Sequence, residues 1–202
     1  NLPTFFFFYA NCATLAEHLF GKGKGLENLV YITVSTGIGA GAILNGKIYR
    51  GSTSNALEVG HTTIEGKGVV CGCGNFGCSE ALSSGTAIAK RGREIKESNA
   101  YTTLKNYDNI TAREVFEESS KGDIMAKIIL EDALRNLGIL VSNVANSFDP
   151  EMIILGGGVI NGGGPLMEIV NEEVNKRVLE PIRENLKIEI SNLEGKSGCL
   201  GA

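Results

Sequence analysis

The chain has 202 residues, is 43% hydrophobic and carries a net charge of -4 at pH 7, which is enough material for one good-sized core or two small domains. Its 19 Lys and Arg residues are dispersed among 23 Asp and Glu, which argues against a general affinity for nucleic-acid backbones or anionic membranes. No apolar run reaches membrane-spanning length and no signal peptide is visible, so a cytoplasmic location is expected.

The first stretch, "TFFFFYANCATLAEH", sets four phenylalanines and Tyr9 ahead of a predicted helix. It is too apolar for a loop and too short to span a membrane. The start at Asn1 rather than Met and the end at "SGCLGA" read as a piece of something longer. Next, "LVYITVSTGIGAGAILNGKIYRG" predicts a strand over 29–34, a Ser/Thr/Gly turn over 35–41 and two strands over 42–44 and 47–49. The Asn45-Gly46 pair between the last two is the strongest short-range hairpin signal. Gly37, Gly39 and Gly41 admit two readings: turn formers only, or a backbone cradle that holds phosphate oxygens together with the Thr36 hydroxyl.

In "EVGHTTIEGKGVVCGCGNFGCSEALSSGTAIAK", Cys71, Cys73 and Cys78 fall within eight positions and His61 lies ten residues before Cys71. Three thiolates and one imidazole make a closed tetrahedral zinc set. A disulfide is disfavoured in a cytoplasmic chain, and Cys71 is too near Cys73 for an easy bridge. Glycine-dense surroundings also make a poor core for buried thiols. With four protein ligands such a metal has no open position for water, so its role would be to fix a loop. Glu58 and Glu80 flank the set and would be pinned as hydrogen-bond acceptors for a polyhydroxylated ligand. Cys12 and Cys199 stand apart and read as small apolar residues.

The polar stretch "KESNAYTTLKNYDN" reads as a surface loop, and Thr111 with Glu114 as a capping box opening a helix to about Ser120. Apolar residues at Ile124, Ile128, Leu134, Leu137, Val141, Val144 and Phe148 keep helical spacing. A short buried strand over 152–155 then runs into Gly156, Gly157 and Gly158, and a further helix is predicted near Pro165. Helix, strand, glycine turn and helix make an α/β layout whose ligands bind beyond the carboxyl ends of the strands. No repeat, low-complexity tract or linker divides the chain, so 1–202 reads as a single domain.

The segments "ITVSTGIGAGAILNGKIYRG", "EVGH", "CGCGNFGCSE", "SGTAIA" and "DPEMIILGGGV", in that order, resemble the ROK family of repressors, open reading frames and sugar kinases. The resemblance implies an actin and hexokinase fold, with ribonuclease H-like lobes around a cleft, and ATP- and Mg2+-dependent phosphorylation of a hexose, most plausibly glucose. It also implies zinc ligands at His61, Cys71, Cys73 and Cys78, and sugar ligands at Glu58, His61, Glu80 and, by register, Asn11. Phosphates would face the turn around Thr36, Gly37 and Gly39, and adenosine the turn at Gly156, Gly157 and Gly158. Members commonly pair, so a homo-oligomer is expected. The ROK repressors keep the sugar and zinc motifs but carry an upstream DNA-binding domain, which makes a sugar-responsive repressor the alternative.

Three departures accompany the resemblance. The amino-terminal lobe with its Asp-x-Gly-x-Thr hairpin has no counterpart, so this chain is expected to be the larger, carboxyl-terminal lobe. Phe7, Phe8 and Tyr9 stand where the family has Glu, Asn and the catalytic Asp. A phenol keeps its proton at pH 7 and cannot replace a carboxylate base. The polypeptide as written is therefore expected to lack kinase activity. Lastly, Leu57 occupies a position where many members have glycine.

Overall fold

The computed structural model describes residues 9–193 and 197–201. Helix α1 spans Tyr9–Phe20, followed by strands β1 (Leu29–Val34), β2 (Ile38–Leu44) and β3 (Lys47–Tyr49). Helices α2 (Ser79–Ser83), α3 (Gly85–Glu97), α4 (Ala112–Ser120) and α5 (Ile124–Phe148) lead to β4 (Met152–Gly156). Helices α6 (Leu166–Arg177) and α7 (Glu180–Arg183), strand β5 (Lys187–Ile190) and helix α8 (Ser197–Leu200) complete the chain.

The five strands form one sheet in the order β3-β2-β1-β4-β5. β2 runs antiparallel to both β1 and β3, while β1, β4 and β5 are mutually parallel. The central strand β1 is covered on both faces, which is why its sequence is an unbroken apolar run rather than an alternating one. Leu29 and Tyr31 join Ala13 of α1 in one buried cluster, whereas Val30, Ile32 and Val34 belong to the main core with α5 and α6.

α5 supplies the spine of that core through Leu130, Leu134, Leu137, Leu140 and Val141, each 2% exposed or less. Burying each such side chain stabilises the fold by about 1.5–3 kcal/mol before the entropy of ordering is counted. Asp123 caps the start of α5 by accepting a hydrogen bond from the Ala126 amide at 2.9 Å. Asp149 ends it in the left-handed region at φ 43°. The Thr111–Glu114 capping box opens α4 as expected. Among the described residues, no helix is long and apolar enough to cross a membrane.

Four expectations need correction. The Ser/Thr/Gly turn is shorter than its composition suggests, because β2 already begins at Ile38 and takes in Gly39 and Gly41. Gly41 is needed there for a different reason: a Cβ would collide with Thr14 Oγ1 and lie 3.0 Å from the Ala10 carbonyl, so its absence lets α1 lie close to the sheet. The polar stretch before α4 is not simply a surface loop, since its short helical turn Thr103–Asn106 plants a fully buried Leu104 in the core. Ile124 and Ile128 are 71% and 51% exposed because they lie on the face of α5 opposite Ala126, Ile129, Leu130 and Ala133, which are the residues its first turns bury. Cys199 is likewise exposed, whereas Cys12 is buried.

Candidate functional site

Cys71, Cys73, Cys78 and His61 converge, with all four ligand atoms within 4.8 Å of one another. The Cys71 Sγ to His61 Nδ1 separation is 3.6 Å and the Cys73 to Cys78 Sγ separation is 3.7 Å. A tetrahedral zinc with Zn–S near 2.3 Å and Zn–N near 2.05 Å has edges of about 3.5 and about 3.8 Å, so these distances suit the ion. They do not suit a disulfide, and all of the described cysteines are free.

Local backbone explains the convergence. The Cys71 amide donates to the Asn75 carbonyl at 2.7 Å and the Gly74 amide to the Cys71 carbonyl at 2.9 Å, which folds the loop into a tight knuckle. Gly77 sits at φ 64° where a Cβ would collide with the Glu65 carbonyl, so only glycine lets the two arms of the loop touch. An antiparallel bridge sets Thr63 opposite Cys78. The thiols are unlike one another. A hydrogen bond with the Asn75 backbone brings the Cys73 thiol down to about 7, whereas burial, reinforced by the neighbouring thiols, pushes Cys78 up to about 12. A cation among the sulfurs would favour their ionised forms.

The cluster lies next to the second feature of the site. Cys78 is the residue that begins α2, and Glu80 is the second residue of that helix. The Glu80 carboxylate reaches back to accept a hydrogen bond from the Ile38 amide at 2.9 Å. The turn before Ile38 is held from the other side as well. The Gly85 amide donates to the Ser35 carbonyl at 2.7 Å, and the Thr86 hydroxyl to the Thr36 carbonyl at 2.8 Å.

Because β1 and β4 are parallel neighbours, with Thr33 opposite Gly156, both glycine turns emerge at the same end of the sheet. The Val159 amide donates to the Val34 carbonyl at 3.0 Å, and Gly157, at φ 99°, lies where a Cβ would collide with that carbonyl. Between the turns lies a cleft of about 570 Å³ lined by Thr36, Gly37, Gly39, Glu80, Gly156, Gly157, Gly158 and Tyr9. A larger cleft of about 1430 Å³ continues past Thr36 and Gly158 toward Arg93, Phe116 and Glu168.

The remaining expected residues are placed differently. Glu58 is exposed and caps the short turn Val59–His61, whose His61 amide donates to the Glu58 carbonyl at 3.0 Å. It is not among the residues lining either cleft. Asn11 turns toward the sheet, with its Oδ1 buried, lacking a partner, and 3.0 Å from where a Gly41 Cβ would stand. Tyr9 is the first residue of α1, is 53% exposed, and lies against Gly198. Phe7 and Phe8 lie outside the described residues. Sequence reasoning missed Asn161 and Ser191, which also line the smaller cleft. Asn161 lies in the short helical turn Ile160–Gly162 and Ser191 just after β5, and no local pattern marks either as a cleft residue.

Comparison with known proteins places these features in context. A family model described as ROK family matches residues 1–202. A xylose repressor of Caldicellulosiruptor bescii is 34% identical over all of this chain and 51% of its own length. The crystal structure of a ROK hexokinase from Thermus thermophilus superposes with a TM-score of 0.85 at 33% identity, covering 96% of this chain and 61% of that one. A ROK family glucokinase from Streptomyces griseus, solved in complex with glucose and AMPPNP, gives a TM-score of 0.83 at 29% identity over 96% of this chain and 64% of its own. The chain thus spans between half and two thirds of the length of these relatives.

Proposed function

Because the chain belongs to the ROK family and has the actin and hexokinase fold of its sugar kinases, we propose that it forms the larger, carboxyl-terminal lobe of a cytoplasmic, homo-oligomeric kinase. The complete protein would transfer the γ-phosphoryl group of ATP to a hexose, glucose in the first instance. The observation that carries this reading is the cleft in which Glu80, the Thr36 turn, the Gly156–Gly158 turn and Tyr9 meet.

Each group has a part consistent with its chemistry. Glu80 and Glu58 accept hydrogen bonds from sugar hydroxyls, and His61 adds a further contact to the sugar. Backbone amides and the Thr36 hydroxyl face the phosphates, and the larger cleft beyond Gly158 takes the adenosine. Zinc held by His61, Cys71, Cys73 and Cys78 would supply structural closure only, having no open position for a reacting water. Mg2+ would neutralise the charge that develops on the phosphates. The chain's own residues therefore bind, orient and exclude water, while the acceptor hydroxyl lacks a carboxylate base wherever Tyr9 stands at that place.

A second reading is favoured by Tyr9 and by the similarity to a xylose repressor: a sugar-binding module of a transcriptional repressor whose DNA-binding segment lies upstream. Isothermal titration of glucose and of xylose, each with and without AMPPNP, tests the two. Glucose binding together with nucleotide binding supports the kinase reading. Sugar binding with no nucleotide affinity overturns it in favour of the repressor.

A further inference from the structure

Four residues other than glycine adopt positive φ among the described residues: Asn45, Ser54, Leu57 and Asp149. Asn45 sits in the hairpin turn and Asp149 at the end of α5, two places where such residue types are at home. Leu57, at φ 68°, is a large apolar side chain in a backbone region that L-residues avoid because the Cβ crowds the following carbonyl. Conformations of this kind persist only when the surroundings over-determine them.

The surroundings of Leu57 do so. Residues 51–55 are all exposed, Ala56 is half-buried, and Leu57 is the first buried residue of this segment, 8% exposed within the main core. Ala56 is held by donation of its amide to the Arg50 carbonyl at 3.2 Å. After Glu58 the chain dives again, with Val59 buried and Gly60 pressed where a Cβ would collide with the Ile38 carbonyl. The left-handed turn at Leu57 lies between these buried segments and carries the exposed Glu58 outward.

We infer that Leu57 is a positioning residue for sugar recognition: its buried side chain locks the left-handed turn that fixes the direction in which Glu58 leaves the fold. Glu58 is then fixed from both ends, by Leu57 before it and by the Val59–His61 turn after it. The inference rests on the reading of Glu58 as a sugar ligand. It assigns Leu57 no contact with the sugar and no part in the metal cluster.

The test is a double-mutant cycle on this chain, with the glucose dissociation constant and the zinc content measured for each variant. Leu57→Gly, which frees the turn, is expected to weaken glucose binding about tenfold. Leu57→Met, which restores an apolar anchor of similar volume, is expected to bind within about twofold of the parent. In a Glu58→Gln background, Leu57→Gly is expected to cost nothing further, and zinc content is expected to stay unchanged throughout. Should Leu57→Gly lose its folded signal, Leu57→Asn carries the same comparison, since asparagine tolerates the left-handed region without supplying an apolar anchor. Parent-like binding by Leu57→Gly overturns the inference alone. So does an equal loss with and without Glu58, because Leu57 would then act through some other group. A parent chain that binds no hexose overturns the reading of the site itself, and this inference with it.

Discussion

Glu80 Oε2 accepts a hydrogen bond from the Ile38 amide at 2.9 Å, although the two residues are 42 positions apart in the chain. The bond ties α2, which begins beside the metal cluster, to the first residue of β2, where the glycine turn ends. One carboxylate therefore connects the loop that carries the His61 and cysteine cluster to the turn proposed to face the phosphates.

Replacing Glu80 separates these roles. Glu80→Gln keeps an acceptor for the Ile38 amide and is expected to unfold within about 1 kcal/mol of the parent while losing most sugar affinity. Glu80→Ala leaves a part-buried amide unpaired and is expected to cost about 1–3 kcal/mol in stability as well. Urea denaturation and calorimetric titration of both variants read the two effects independently.

Removing one metal ligand should be felt beyond the metal. Cys73→Ser is expected to lower zinc from about one per chain to a small fraction of that. It should also lower the melting temperature, because α2 starts at a neighbouring ligand, Cys78. Atomic emission and thermal unfolding, each repeated on the parent after chelation, check both. Full zinc occupancy in Cys73→Ser would rule out this ligand set.

Stability should fall with acid through a buried network far from the cysteines. The Glu118 carboxylate accepts hydrogen bonds from the Thr103 hydroxyl, from Tyr107 Oη at 2.6 Å and from Lys121 Nζ at 2.9 Å. The bond from Thr103 leads the effects that bring it from 4.5 to about 2. The folded value lies below the unfolded one, so this contribution is fully present above about pH 4.5 and lost as pH falls toward 2. Asp123, held down to about 2 against its burial by the Ala126 amide and then by Thr103 and Thr102, acts in the same direction. Denaturation midpoints at pH 7, 4.5 and 3 should drop less steeply in Glu118→Gln than in the parent; parallel curves would exclude the network as their source.

Gly41→Ala tests the close approach of α1 to the sheet. The added methyl would collide with Thr14 Oγ1 and crowd the Ala10 carbonyl. Overpacking of this sort costs about 1–3 kcal/mol. A loss in that range, measured by denaturation, is expected, and an unchanged stability would mean that α1 shifts freely.

The 202-residue polypeptide is expected to yield no sugar phosphate from glucose, ATP and Mg2+ in a coupled assay, because Tyr9 offers no carboxylate at the position matched to the base. Turnover by this polypeptide would show that the reaction proceeds without a carboxylate there.

Much of the site was legible because its chemistry is local. Three cysteines and a histidine spaced by glycines predict a metal set whatever the surrounding fold, since thiolates and imidazole bring their own affinity and geometry. The Asn45-Gly46 hairpin, the Thr111 capping box and the β1 run were legible for the same reason: each is decided by neighbours within a few residues. The helical period located α5, yet Ile124 and Ile128 fall on its exposed face, opposite the buried Ala126, Ile129 and Leu130. Apolar residues near a helix end fit more than one phase of the helical period, and only packing decides which phase is buried.

Tertiary structure alone decided the rest. Gly41 looked like part of a turn, but its missing Cβ serves a helix brought against it from elsewhere in the chain. Leu104 was hidden in a polar stretch because burial depends on what packs around a residue rather than on its sequence neighbours. Leu57 stood out in the sequence only as a leucine where many members have glycine; that its backbone is left-handed was decided by tertiary packing, which outweighs the local preference of a leucine. From the sequence by itself came the metal set, the hairpin and the α/β order of elements; which carboxylate meets which amide, and which side chains are held in strain to aim them, came from contacts between segments far apart in the chain.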